Sequence, residues 1–314
     1  MTLHPQARAA LDRMVEGNPP PIHTLSVEEA RAAHMATMWM SAPGEPVANV
    51  EDLVAPGSGG DLRVRVYTPA GRGPWPILVY FHGGGWVVGN LQTVDALCRT
   101  LASRTPCVVV SVDYPLAPEH PFPAALDACY AAAAWAEAGA QELGGAEAGG
   151  GRPRVAVGGD SAGGNLAAAV ALMARARGGP TISHQLLIYP VIANDFDTPS
   201  YKDNAEGFGL TRDGMKWYWD LYTSGAHEAL DPRASVLREP DLSDLPPALV
   251  ITAEHDVLRD EGRAYAQALS EAGVEVRALD YDGMIHGFFR MTAVLDSASQ
   301  AIDEAASELR SATS

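Results

Sequence analysis

The segment GGDSAGGN at residues 158–165 sets four glycines around one serine, Ser161. Glycine in a folded element costs roughly 0.5–1 kcal/mol relative to alanine, so this cluster marks a backbone that turns where side chains would collide. The apolar run VAV at 155–157 leads in as a strand, and AGGNLAAAVALMARA from residue 162 leads out as a helix. Gly159-Asp160-Ser161-Ala162-Gly163 therefore puts a hydroxyl on a strand–turn–helix corner, which projects Oγ above a sheet. Backbone N–H groups at the helix start face any negative charge that develops there. This is the chemistry of nucleophilic attack. Phosphate binding is excluded, because neither glycine run of the chain fits the P-loop or the dinucleotide-binding spacing.

The second glycine run, HGGGW at 82–86, follows the apolar run ILVYF at 77–81. Successive glycines leave their N–H groups accessible, and Gly83, Gly84 and Ala162 are the expected donors of an oxyanion hole. Such donors contribute roughly 2.7–4 kcal/mol each in a transition state. A serine hydroxyl also needs a base to take its proton. Nine histidines compete for that role. His4, His23 and His34 fall in the N-terminal helical segment, and His227 lies beyond an aromatic stretch. His82 shapes the glycine loop, His120 sits in the proline-locked PEHPFP, and His184 comes just before a strand. His255, beside Asp256, is the one serious rival to His286. His286 follows the last expected strand, with Gly283 and Gly287 letting its loop bend, and is the expected base. The acid belongs after a strand between serine and histidine, where Glu254, Asp256 and Asp260 stand. Asp260 reads as a helix N-cap and Glu254 as the structural end of the strand, so Asp256 is the expected acid.

The elements that must hold these residues follow from periodicity. LRVRVYT at 62–68 alternates as a strand with one wet face does. ILVYF (77–81), VVVSV (108–112), VAV (155–157), LLIY (186–189) and ALVIT (248–252) are continuous apolar runs, as in strands covered on both faces. Helical patterns at about 91–104, 123–138, 161–176 and 260–272 lie between them, then a strand near 274–279 and a helix at about 293–311. Strand alternating with helix predicts an α/β fold with a mostly parallel sheet and helices on both faces. The first 45 or so residues show helices and no strand, with Ser26 and Glu29 spaced as a capping box. Residues 138–154 read as a mobile surface loop, and 204–225 concentrate Phe208, Trp217, Tyr218, Trp219 and Tyr222.

Composition narrows the partners. The chain has 314 residues and a net charge of −17, from 39 acidic against 22 basic residues. Such a surface repels phosphate backbones and anionic lipid, so neither nucleic acid nor membrane is an expected partner. Cys98, Cys107 and Cys129 lie in apolar stretches without metal-binding spacing and read as buried free thiols, which favours a reducing compartment. Arg8, Asp12 and Arg13 stand where a signal peptide needs an apolar run, and LAAAVALMA at 166–174 is too short to span a bilayer. A soluble cytoplasmic protein is expected. No metal or cofactor is expected either, since no metal-ligand spacing appears.

Together HGGGW, GDSAGGNLA, YPLAPEHPFPAAL, DVLRDEG and GMIHGFF resemble the hormone-sensitive lipase family of bacterial carboxylesterases. The motifs run from about residue 60 to 290. The resemblance implies an α/β-hydrolase fold and cofactor-free hydrolysis of small-molecule esters with short or medium acyl chains, and frequently a homodimer. Motif by motif, it assigns Ser161, Asp256 and His286 to the triad, and Gly83, Gly84 and Ala162 to the oxyanion hole. It implies one α/β-hydrolase domain, with a helical cap from about 1–48 and 198–226 over a catalytic core of about 49–197 and 227–314. Trp86, Phe208, Met35, Met38, Trp39, Trp217 and Trp219 are candidates for the substrate pocket. Two positions depart from the family pattern. Pro115 replaces the usual arginine of the YRLAPE motif, and Val257 replaces the usual proline after Asp256. The same triad serves amidases and thioesterases. A non-catalytic ligand receptor on the same scaffold is the rival reading, and the presence of His286 argues against it.

Overall fold

In the computed structural model, which describes residues 2–57, 59–145 and 155–312, the strands form a single eight-stranded sheet. They are β1 (Asn49–Gly57), β2 (Gly60–Thr68), β3 (Ile77–Phe81), β4 (Val108–Val112), β5 (Val155–Asp160), β6 (Ile182–Ile188), β7 (Ala248–His255) and β8 (Val276–Ile285). The order across the sheet is β1-β2-β4-β3-β5-β6-β7-β8. β2 runs antiparallel to β1 and β4, and the pairings from β4 to β8 are parallel. The α-helices are α1 (Pro5–Met14), α2 (Val27–Ala36), α3 (Leu91–Arg104), α4 (Ala124–Ala138), α5 (Ala162–Arg177), α6 (Pro199–Asp203), α7 (Arg212–Tyr222), α8 (Ala226–Ala229), α9 (Arg259–Glu271) and α10 (Asp296–Ala312).

The continuous apolar strands are explained by two packed layers. Alternate residues of β3 point to opposite faces, as strand geometry requires. Ile77, Val79 and Phe81 join a core with Leu126 and Ala133 of α4, Leu166 and Val170 of α5, and Tyr265 and Leu269 of α9. Leu78 and Tyr80 join the opposite core with Leu97 and Leu101 of α3 and Ala298 and Ile302 of α10. Every residue of β3, β4 and β5 is buried. The parallel strands thus end together at one edge, where the loops carrying the motifs emerge.

The structure adds β1, which the sequence pattern did not reveal. Its residues are mostly exposed, so no apolar periodicity marks it, and its ladder with β2 from Asn49↔Thr68 to Gly57↔Gly60 supplies its order. Ser26 and Glu29 do form a capping box at the start of α2. Of the loop expected at 138–154, residues 146–154 lie outside the described residues. Cys98, Cys107 and Cys129 are free and buried, and burial pushes the Cys107 thiol up to about 12. Among the described residues no helix is long and apolar enough to cross a membrane.

Candidate active site

Ser161 is the single residue between β5 and α5, and it holds φ 58 and ψ −119. A left-handed backbone at a serine costs on the order of 1–3 kcal/mol and persists only when its surroundings fix it. Here Ser161 N–H donates to Ile188 O at 2.8 Å, and Ser161 O accepts from Asn165 N–H at 3.1 Å and Val191 N–H at 3.2 Å. The glycines answer to close approach. A Cβ at Gly163 would lie 1.9 Å from Phe81 O, and one at Gly159 would lie 2.4 Å from Gly163 C. Only glycine lets the strand, the helix and β3 meet so tightly.

Three side chains from separate loops converge at this corner. His286 Nε2 stands 3.0 Å from Ser161 Oγ, and His286 Nδ1 stands 2.7 Å from Asp256 Oδ2. A carboxylate accepts and does not donate, so Nδ1 carries the proton and Nε2 offers its lone pair to the serine. Asp256 is 1% exposed and Ser161 7%, so the chain of hydrogen bonds is largely shielded from water. Asp256 Oδ1 accepts from Leu258 N–H at 3.0 Å, and the Tyr189 ring packs 4.7 Å from the imidazole. The other acids do not reach the histidine in this way. Glu254 Oε2 accepts from Gly283 N–H at 2.7 Å, and so holds the loop that leads to His286. Asp260 sits inside the first turn of α9, where Leu258 is the N-cap. The expected capping role of Asp260 is thereby corrected. Its Oδ2 instead accepts from Ser200 N–H of α6 at 2.7 Å. His255 stacks against Phe208 at 4.7 Å and lies 3.9 Å from Glu254.

The glycine loop requires one correction. Gly83 N–H donates to Asp160 Oδ1 at 2.9 Å, so that donor is already committed. The N–H groups of Gly84, Gly85 and Ala162 have no acceptor among the described residues. Gly84 and Gly85 take φ +132 and +56, and a Cβ would meet Val88 O at 2.1 Å in the first and the Tyr218 ring at 2.1 Å in the second. His82 is buried and stacked on Tyr114 at 4.2 Å, whose hydroxyl donates to His82 O at 2.6 Å. It therefore braces the loop.

Both departures from the motif pattern find a substitute brace. Near Pro115, Arg31 of α2 donates to Val87 O at 2.9 Å and Ala117 O at 3.2 Å, and pairs with both oxygens of Glu119 at 2.7 Å. Val257 O accepts from Ser200 Oγ at 2.7 Å, and Asp256 O accepts from Asn204 Nδ2 at 3.2 Å. Ser200 and Asn204, in and just after α6, thus hold the loop that a proline would have stiffened.

The candidate lining residues separate. Trp86 is fully buried, stacked on Tyr222 at 4.1 Å and edge-on to Trp219 at 4.9 Å, and Trp219 is only 1% exposed. Both are packed into the aromatic core with Tyr222. Met35 is exposed and lines a cleft of about 380 Å³ with Arg31, Gly89 and Asn90, while Met38 lines one of about 520 Å³ with Pro43 and Arg99. Neither cleft includes Ser161 or His286. Trp39 lies under the Arg13 guanidinium at 3.7 Å, and Trp217 packs edge-on to Tyr218 at 5.1 Å. The place of Tyr218 over Gly85 and of Asp160 behind the loop was not foreseen from the sequence, where Tyr218 was one member of the aromatic stretch. The only signal for Asp160 was its place beside Ser161.

The match to known proteins agrees with this geometry. Residues 78–290 match the family model described as an alpha/beta hydrolase fold. The chain belongs to that family, in the branch of bacterial carboxylesterases that resemble hormone-sensitive lipase. The carboxylic ester hydrolase LipN of Mycobacterium tuberculosis is 42% identical over 287 residues, covering 90% of this chain and 75% of the relative. A hyperthermophilic esterase from Pyrobaculum calidifontis superposes with a TM-score of 0.92 at 41% identity, over 99% of both chains. An ester hydrolase from the metagenome of Lake Arreo, solved with a bipyridine phosphonate derivative, gives a TM-score of 0.92 at 40% identity, over 99% of both chains.

Proposed function

We propose that this carboxylic ester hydrolase works as a serine esterase through an acyl-enzyme intermediate, with Ser161 as nucleophile, His286 as base and Asp256 as the acid that orients it. The observation that carries this reading is the unbroken line from Asp256 through His286 to Ser161, at 2.7 and 3.0 Å. His286 Nε2 takes the serine proton as Oγ attacks the ester carbonyl, and then protonates the leaving alcohol. Water repeats the sequence on the acyl-enzyme and releases the acid. The oxyanion is held by the free N–H groups of Gly84, Gly85 and Ala162. Gly83 aligns the loop through Asp160.

The helices of about 1–48 and 198–226 act as the cap of a single hydrolase domain. Support comes from Tyr218 of α7 resting on Gly85 and from the Arg31 contacts of α2 with Val87 and Ala117. Short- to medium-chain esters are the proposed substrates, following the family. Ser161→Ala should abolish hydrolysis of p-nitrophenyl acetate while leaving the circular dichroism spectrum unchanged. A folded variant that keeps more than a few per cent of activity, as can be checked across a panel of acyl lengths, refutes the assignment.

A further inference from the structure

An ion pair between a buried carboxylate and a partly exposed guanidinium lies behind the nucleophile. Asp160, one residue before Ser161, is 1% exposed, and its Oδ1 accepts from Tyr80 OH at 2.8 Å and Gly83 N–H at 2.9 Å. Its Oδ2 stands 3.3 Å from Arg290 Nε. Arg290 follows His286 by one helical turn's worth of chain, and its carbonyl accepts from Ser41 Oγ at 2.9 Å. An ionised carboxylate is a strong acceptor for the Gly83 N–H, and that bond aims the peptides of Gly84 and Gly85. The same negative charge, poorly screened when buried, opposes an oxyanion forming next door.

We propose that Arg290 is a positioning residue that supplies the counter-charge to Asp160, so that the carboxylate can hold the oxyanion loop without adding net negative charge to the site. The inference rests on the reading of Ser161 as nucleophile. The titratable groups around Arg290 are Asp160 at the end of β5, Tyr80 of β3, His82 of the glycine loop, Tyr189 after β6, Tyr218 of α7 and His34 of α2. Burial holds Tyr80, Tyr189 and Tyr218 above the ordinary tyrosine range, and it depresses His82 and brings His34 down to about 3. These five are therefore neutral at pH 7. Among the described residues, Asp160 is the one carboxylate set against the guanidinium. His286 itself faces Asp256, Ser161 and Tyr189.

The test compares Arg290→Met, Arg290→Gln and Arg290→Lys, and the first two again in combination with Asp160→Asn, using kcat, KM and pH profiles with p-nitrophenyl acetate. The neutral replacements should lose about tenfold or more in kcat with little change in KM. Their acid limb should move to higher pH, because an uncompensated carboxylate stabilises the imidazolium. Arg290→Lys should keep the limb in place. Adding Asp160→Asn to either neutral variant should recover activity, since it removes the unbalanced charge. A brace without an electrostatic role gives the opposite result, a double variant no more active than the single one with an unmoved acid limb, and that result overturns the proposal. Arg290→Gln keeps a polar contact to Asp160 and carries the comparison if the methionine variant does not fold. Phosphonate labelling separates the two levels. A wild-type Ser161 that does not label sinks the serine reading, whereas labelling without rescue sinks the counter-charge alone.

Discussion

Asp256→Asn is the substitution whose outcome the geometry specifies most closely. Asp256 Oδ1 accepts from Leu258 N–H at 3.0 Å while Oδ2 faces His286 Nδ1 at 2.7 Å. An asparagine must keep its carbonyl oxygen on Leu258, because turning the NH2 group there would leave a buried N–H unpaired at about 1–3 kcal/mol. The NH2 group then points at His286 Nδ1 and forces the ring proton onto Nε2. In that tautomer Nε2 cannot take the proton of Ser161. Restoring the productive tautomer costs the flip, and the imidazolium formed during attack still lacks its carboxylate. The corresponding change in serine proteases lowers kcat by roughly 10⁴, about 5.5 kcal/mol, and a loss of about 10³–10⁴ is expected here. The assay is kcat for p-nitrophenyl acetate, with circular dichroism and thermal midpoint as checks on the fold. Asp260→Asn is the control, since an asparagine oxygen can still accept from Ser200 N–H, and its kcat should stay near that of the parent. An active Asp256→Asn, or an Asp260→Asn that loses orders of magnitude, would show that Asp256 is not the acid of the triad.

Arg31→Ala removes the bidentate pair with Glu119 and two bonds to loop carbonyls, and should cost about 1–2 kcal/mol after allowance for the exposed carboxylate, read from urea unfolding. Gly163→Ala should yield no stable folded protein, because its Cβ would sit 1.9 Å from Phe81 O; a soluble variant with an unchanged thermal midpoint contradicts this. His184 is buried with neither ring nitrogen partnered among the described residues, and burial pulls it down to about 4. The unfolded chain takes up a proton near pH 6.5 that the folded chain refuses. The stability difference between the parent and His184→Gln should therefore shift toward the variant by up to about 1.4 kcal/mol per unit as pH falls from 6 to 4.5. A difference that stays constant with pH argues against a neutral His184.

What could be read from the sequence was whatever local chemistry enforces. The apolar runs of β3 to β7 and the helices between them are periodic because both faces of the sheet are covered, and the structure has them within a few residues of the expected bounds. Ser161, Asp256 and His286 could be singled out because each follows a strand and sits among residues suited to a turn, and the fold brings the three together. Other features depend on partners distant in the chain. The occupancy of the Gly83 N–H depends on Asp160, and the role of Asp260 depends on Ser200. The burial of Trp86 depends on Trp219 and Tyr222 of α7, an aromatic cluster equally consistent with a pocket wall. β1 left no trace because an exposed edge strand needs no apolar face.

The central claim is that Ser161 is the activated nucleophile, and stoichiometric labelling with a fluorophosphonate, followed by intact-mass and peptide mass spectrometry, tests it most directly. One adduct per chain is expected, confined to the peptide bearing Ser161, formed rapidly by the parent and far more slowly by His286→Ala. An unlabelled parent, or an adduct on another residue that forms equally fast without His286, would contradict it.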